Sequence, residues 1–343
     1  MKTSKNKCLV PAILLTFVGV LLIGVVIVAG ILFFNEKVLM VPSVEFPEIQ
    51  DAVDAAVEGD IILVKPKEDG TPYEENVEIN TDNIKLIGVG KEKPVIDGET
   101  QGPDGITLID ISGVVVKNFI VRDFSNLGIL LENSNGNMFK GNNVNNNAAG
   151  ILVEGSNGNM FKKNTVNDHD VEGISLENSS DNMFKGNNVN DNLDGILLES
   201  SNDNMFKKNT SFHNAQAGIF LSNSSGNMFK GNTSNDNDED GISLAGSDGN
   251  FFKGNIANDN GFDNDFNGFH VADSDGNMFT GNNANNNDFD GILLEDDTND
   301  NDVFGNRAFG NGNLDIEDLN VTSPLNNFKG NKCGLSVPGE ICD

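Results

Sequence analysis

The chain has 343 residues, 37% of them apolar, and carries 52 acidic against 22 basic side chains for a net charge of -30. That charge argues against a nucleic-acid partner, because a phosphate backbone is repelled wherever the surface is not locally basic. The low apolar share argues against a broad two-layer globule and for a thin core built by repetition.

In chain order, Lys2, Lys5 and Lys7 precede residues 8–34, a run with no charged side chain. The run exceeds the ~20 residues that cross a bilayer as a helix. It is also longer than the ~7–15 apolar residues of a cleavable signal peptide. Residues 1–36 are therefore expected to be a basic cytoplasmic tip and a transmembrane signal-anchor, with everything after Glu36 outside the cytoplasm. Residues 37–127 read as an N-terminal cap and three or four irregular coils. Within them residues 47–57 are expected to form an amphipathic helix, with Ile49, Val53 and Ala56 on the side that covers the first coil.

From 128 to 313 the chain repeats almost by the letter, as in GILLENSNGNMFKGNNVNNNAA from Gly128 and GISLENSSDNMFKGNNVNDNLD from Gly173. Further copies begin at Gly150, Gly195, Gly218, Gly241, Gly268 and Gly291, with GFDNDFN inserted before Gly268. A short fixed period means a solenoid in which each repeat buries its apolar face against the next. Asn, Gly and Asp between the apolar positions are poor in helix interiors and good in turns, which excludes leucine-rich repeats and leaves coils of short strands. Alternation turns Ile129, Leu131, Asn137, Phe139, Asn142 and Val144 inward, giving three strands per coil. The columns beginning at Asn137 and Asn142 place identical amides at the ~4.8 Å strand spacing, where donor and acceptor can be satisfied along the axis. Residues 314–343 read as a last coil and a cap closed by a Cys333–Cys342 disulfide, which suits an oxidising compartment.

The order G-I-x-L-x-x-S-x-x-N-x-F-x-x-N-x-V-x-x-N from Gly128, with FPEIQDAVDAAVEGDIILV from Phe46, YEENVEI and KPVIDG, resembles the pectate-lyase-like β-helix repeats, particularly the NosD-type group. The resemblance implies an all-β chain: a single right-handed parallel β-helix, here with an N-terminal transmembrane helix and a short capping helix. It implies a scaffold shared by polysaccharide lyases, hydrolases, epimerases, adhesins and copper-associated proteins, and so decides no activity.

Reactive residues are scarce: Tyr73 is the one tyrosine, Arg122 and Arg307 are the arginines, and the histidines are His169, His213 and His270. Asp168, His169 and Asp170 are the candidate catalytic group, a carboxylate beside an imidazole being able to set its tautomer and basicity. His169 stands where other copies have Asn147, Asn192 and Asn214, so a drifted turn residue is the plainer account. Lys140, Lys162, Lys185, Lys207, Lys230 and Lys253 form an outward basic column along which a polyanionic glycan would lie, or which merely discourages edge pairing. Met138, Met160, Met183, Met205, Met228 and Met278 form the neighbouring column, with thioethers soft enough for Cu(I) or apolar enough for self-association. Acidic turns, notably Asp296, Asp297, Asp300 and Asp302, offer the hard oxygens that Ca²⁺ takes.

The first functional expectation is a membrane-anchored extracytoplasmic protein that binds carbohydrate or envelope components through a repetitive face without catalysis. The second is a polysaccharide lyase, epimerase or hydrolase, and the third a NosD-like copper-handling protein.

Overall fold

The computed structural model describes residues 36–99, 102–262, 265–320 and 325–343. The span expected at residues 8–34 lies outside them, and among the described residues no helix is long and apolar enough to cross a membrane. The unit Leu39–Asp343 is a right-handed parallel β-solenoid of about 13 turns with one short helix.

Three strands per coil stack into three sheets. Sheet A holds 13 strands, from Val38–Val41 to Asn327–Lys329, and sheet C holds 12, from Val77–Ile79 to Ser336–Val337. Sheet B runs through seven strands, from Val95–Asp97 to Thr233–Asn235, and continues by single bridges at Ile256 and Asn283 to Arg307–Ala308 and Lys332–Cys333. Like residues face like: Met138, Phe139 and Lys140 pair with Met160, Phe161 and Lys162, and these with Met183, Phe184 and Lys185.

The inward positions are those alternation assigns. Ile129, Leu131, Phe139 and Val144 have no exposed surface, and Asn137 and Asn142 are buried with them. Phe139, Phe161, Phe184, Phe206, Phe229, Phe252 and Phe279 stack as one column, with ring centroids 4.6–5.3 Å apart and planes within 9°. The coil spacing thus matches the offset-stacking distance of aromatic rings.

The amides are satisfied less by one another than by backbone. Asn137 donates its main-chain N–H to Asn159 Oδ1 (2.8 Å) and its Nδ2 to the Ile111 carbonyl (3.0 Å); Asn159, Asn182, Asn204, Asn227 and Asn250 repeat the pattern. Each ladder amide therefore ties up the donor and acceptor that a tight corner would leave orphaned. A serine ladder does the same work at another corner: Ser134, Ser156, Ser179, Ser201 and Ser224 each give their N–H to the next serine hydroxyl.

Corners also explain the Asn, Asp and Gly content. Asn133, Gly136, Gly141 and Asn146 take positive φ in one coil, and Asn178, Asp181, Gly186 and Asp191 in another, a region open mainly to glycine and short polar side chains. The glycine opening each copy answers to crowding instead, since a Cβ on Gly150 would strike the Gly173 carbonyl oxygen.

The capping helix α1 is shorter than the expected 47–57, covering Ile49–Ala55 with Ile49, Ala52 and Val53 buried. Glu75, from the following coil, receives the N–H groups of Ile49 (2.7 Å) and Gln50 (2.8 Å), placing a carboxylate where the helix start needs acceptors. At the other end Cys333 and Cys342 are joined, and Asp315 accepts from the N–H groups of Gly334 and Leu335.

Candidate functional site

Function on such a solenoid must lie on its outward columns and corners, because the inward ones are filled. On sheet A the outward positions are two files. Lys117, Lys140, Lys162, Lys185, Lys207, Lys230 and Lys253 stand in unbroken register, one coil longer than the repeat alone suggests. Lys163 and Lys208, exposed at positive-φ corners immediately after the file, add charge to its edge. None of these lysines makes an ion pair among the described residues. Like charges at the ~4.8 Å spacing repel by roughly 1 kcal/mol per neighbour in water, and by several where solvent is displaced. Such a file is unfavourable by itself and is relieved by an opposing line of anions.

Two residues before these lysines stands the second file, Val115, Met138, Met160, Met183, Met205, Met228 and Phe251, which continues to Met278 beside Thr280. The first four are half-buried.

The candidate catalytic group is not brought together. His169 is 5% exposed and turned inward as a surrogate for the ladder amide; its Nδ1 meets the Asn147 main chain and its Nε2 the Val144 carbonyl (3.2 Å). Burial pulls its pKa down. Asp168 sits at a positive-φ corner, and both Asp168 and Asp170 face solvent. They instead line two shallow clefts at the corner between sheets B and C, with Asp123, Asp191, Asp238 and His213 also on the walls. Walls so acidic disfavour a polyanion.

The calcium candidates do not converge either. Asp296, Asp297 and Asp300 are exposed, Asp302 points outward and accepts from Asn327, and among the described residues no three His, Cys, Asp or Glu side chains surround a metal-sized position.

Sequence reasoning missed a polar cluster on the outward face of sheet C. His270 Nδ1 lies 3.0 Å from Asp240 Oδ2 and its Nε2 2.8 Å from Glu295 Oε1. Burial pulls this imidazole down, but the two carboxylates outweigh it and hold it at about 9. Beside it Asp240 Oδ1 receives Asn267, whose own Oδ1 receives the Asp290 N–H. Burial, then Glu317, drives Asp290 upward, and its buried Oδ2 has no donor among the described residues. The cluster can hold protons near neutrality but offers no free imidazole nitrogen as a base. Its one sequence signal is GFHVA at Gly268, where other copies read GI followed by Leu, Ser or Phe.

Over residues 75–258, more than half the chain, the sequence matches the family described as periplasmic copper-binding protein (NosD). The chain belongs to the NosD family. Residues 194–339 also match the family described as right-handed β-helix region, in keeping with the solenoid. No curated protein matches the chain in sequence. Among solved structures it is similar to a mannuronan C-5 epimerase A-module of Azotobacter vinelandii, with TM-score 0.67, 17% identity and coverage of 83% of this chain and 93% of that one. It is similar to the periplasmic alginate epimerase AlgG, with TM-score 0.63, 16% identity and coverage of 84% and 83%. It also resembles tailspike protein 2 of bacteriophage CBA120, with TM-score 0.61, 15% identity and coverage of 80% and 48%. At these identities the likeness is one of fold.

The family description names copper, so the donor set of this NosD-family chain matters. Cys333 and Cys342 are in a disulfide, and the ring nitrogens of His169 and His270 are engaged. Exposed His213 stands alone at the corner between sheets B and C, with Asp191 3.9 Å from its Nδ1, so the methionine file is the repeated donor set among the described residues, and thioethers fit the soft Cu(I) ion rather than Cu(II).

Proposed function

We propose that this NosD-family chain is an extracytoplasmic β-helix that binds an anionic polysaccharide of the cell envelope along the lysine file of sheet A, without catalysis. The observation that carries this reading is Lys117 to Lys253 in register with no carboxylate partner among the described residues. A chain with one anion per sugar, extended along the solenoid axis, would neutralise the file, and the methionines beside it would pack against the sugar rings. The family's periplasmic description, the Cys333–Cys342 disulfide and a fold shared with alginate and mannuronan epimerases all support an envelope setting. The absence of catalysis rests on what the candidate bases do: His169 is inward, His270 is a clamped cation, Tyr73 is buried with its hydroxyl on the Lys65 carbonyl, and His213 is exposed in an acidic cleft that disfavours a polyanion. Retention of the full chain on immobilised alginate, without change in polymer length or sugar composition, tests the reading. Retention on neutral dextran alone would oppose it.

The second reading is copper handling. Met160, Met183 and Met205 would hold Cu(I), which would supply soft ligation at the surface; the in-register thioethers and the family description favour it. Stoichiometric Cu(I) lost on substitution of these methionines is its test.

A further inference from the structure

Sheet C carries the counterpart of the lysine file. Glu132, Glu154, Glu177 and Glu199 stand in register on four successive coils, outward, and none makes an ion pair among the described residues. Burial and then repulsion from Glu154, Glu199 and Glu172 push the Glu177 carboxyl up, the sign of an unrelieved line of like charge. Two residues before these glutamates stands an outward and largely apolar file, Leu130, Leu152, Ser175 and Leu197, which continues to Phe220 beside Ser222.

The two faces therefore have one design with opposite charge. Along four successive coils sheet A reads methionine then lysine, and sheet C reads leucine, or serine at Ser175, then glutamate, at the same two-residue offset and the same coil spacing. Both are sheets of one solenoid, so the backbone crosses each face in the same sense when seen from outside. Setting sheet A of one copy on sheet C of another with parallel axes would oppose lysine to leucine. With antiparallel axes lysine opposes glutamate and methionine opposes leucine, four coils deep.

We propose that sheet C of one copy docks on sheet A of a second copy of this chain, axes antiparallel, glutamate file against lysine file. The contact joins different faces, so each pair leaves one free face of each kind and association is open-ended. It rests on the lysine file that the polysaccharide reading also uses, so an anionic glycan and a neighbouring copy compete for it. Each copy carries a charge of -30, so long-range repulsion opposes approach until salt screens it. At ~0.15 M ionic strength the Debye length is ~8 Å, which screens whole-molecule repulsion but not files in contact; at ~1 M it is ~3 Å and both are screened.

Sedimentation velocity of the full chain tests the contact. The wild type is expected to associate at ~0.15 M salt and to dissociate at ~1 M. The reversals E154K/E177K and K162E/K185E should each abolish association alone, with circular dichroism and thermal midpoint checking that each folds. Mixed at equal concentration they should associate again, through the intact sheet A of the first on the intact sheet C of the second as well as through the two reversed faces. E154K/E177K should still bind alginate, so loss of association with retained glycan binding separates this contact from the polysaccharide reading. A wild type that stays monomeric at ~0.15 M, a single variant that associates like wild type, or a mixture that stays monomeric overturns the proposal.

Discussion

Asn164 donates both its main-chain N–H (2.9 Å) and its Nδ2 (3.1 Å) to the Oδ1 of Asn187, one coil further along the axis. Asn187 in turn gives its Nδ2 to the Phe161 carbonyl and to Asn209 Oδ1, both at 3.0 Å. Asn187→Ala leaves the buried Asn164 N–H without its acceptor, at a cost of about 1–3 kcal/mol, and removes the side-chain donor to the Phe161 carbonyl. The denaturation midpoint should fall accordingly. Asn188→Ala, one residue away and outward, should shift stability by no more than about 0.5 kcal/mol. Equal effects at the two positions would refute the ladder's role.

Phe206 has ring neighbours on both sides at 4.8 Å, Phe184 and Phe229. Phe206→Ala should destabilise the solenoid by about 3–5 kcal/mol, whereas Phe206→Leu, which keeps most of the volume, should cost distinctly less. Urea titration followed by far-ultraviolet circular dichroism distinguishes them.

Much of the fold was legible because each inward position is written several times over: a drift at one coil is corrected by its neighbours. Direction was not legible. The recurrence of Asn142, Asn164 and Asn187 implies a ladder, but that Oδ1 caps the preceding backbone N–H depends on the corner path. His169, whose plainer sequence reading is a drifted turn residue, stands inward for a related reason. An imidazole, like an amide, presents two polar atoms, so it can occupy an inward ladder site and leave Asp168 and Asp170 outside. The His270 cluster unites Asp240 and Glu295, 30 and 25 residues away in sequence, and only coil register brings them together. The glutamate file follows GI-x-L-E in the repeat itself and was readable, but it gains meaning only when sheets A and C are compared.

His270 titrates near 9 in the folded chain against an ordinary 6.5, so the native state holds its proton more tightly than the unfolded chain does. Its contribution, about 3 kcal/mol, is full below pH 6.5 and is lost as pH rises through 9. Asp194, raised to about 6 by burial and then by Glu172 and Glu239, likewise favours the folded state at lower pH and loses that contribution as pH rises through 6. The thermal midpoint should therefore decline from pH 6.5 to 10, and His270→Asn should flatten the part of that decline between 7 and 10. A variant with the wild-type slope would show that the Asp240–His270–Glu295 clamp does not set it.

Met183→Leu with Met205→Leu changes side-chain volume little and should alter stability by less than about 1.5 kcal/mol. If the thioether file takes Cu(I), the double variant should lose a stoichiometric equivalent in competition with a Cu(I) chelator. Unchanged uptake would place any copper elsewhere.

The decisive quantity is the affinity of the full chain for alginate as a function of salt, compared between two triple variants. K162Q/K185Q/K207Q removes the centre of the file, and K65Q/K91Q/K332Q removes as many exposed charges outside it. Anion binding by a row of lysines predicts a loss of at least ~10-fold and a shallower salt dependence for the first, with the second close to wild type. Equal losses in both would show that alginate responds only to net charge and that the file has no special part in binding.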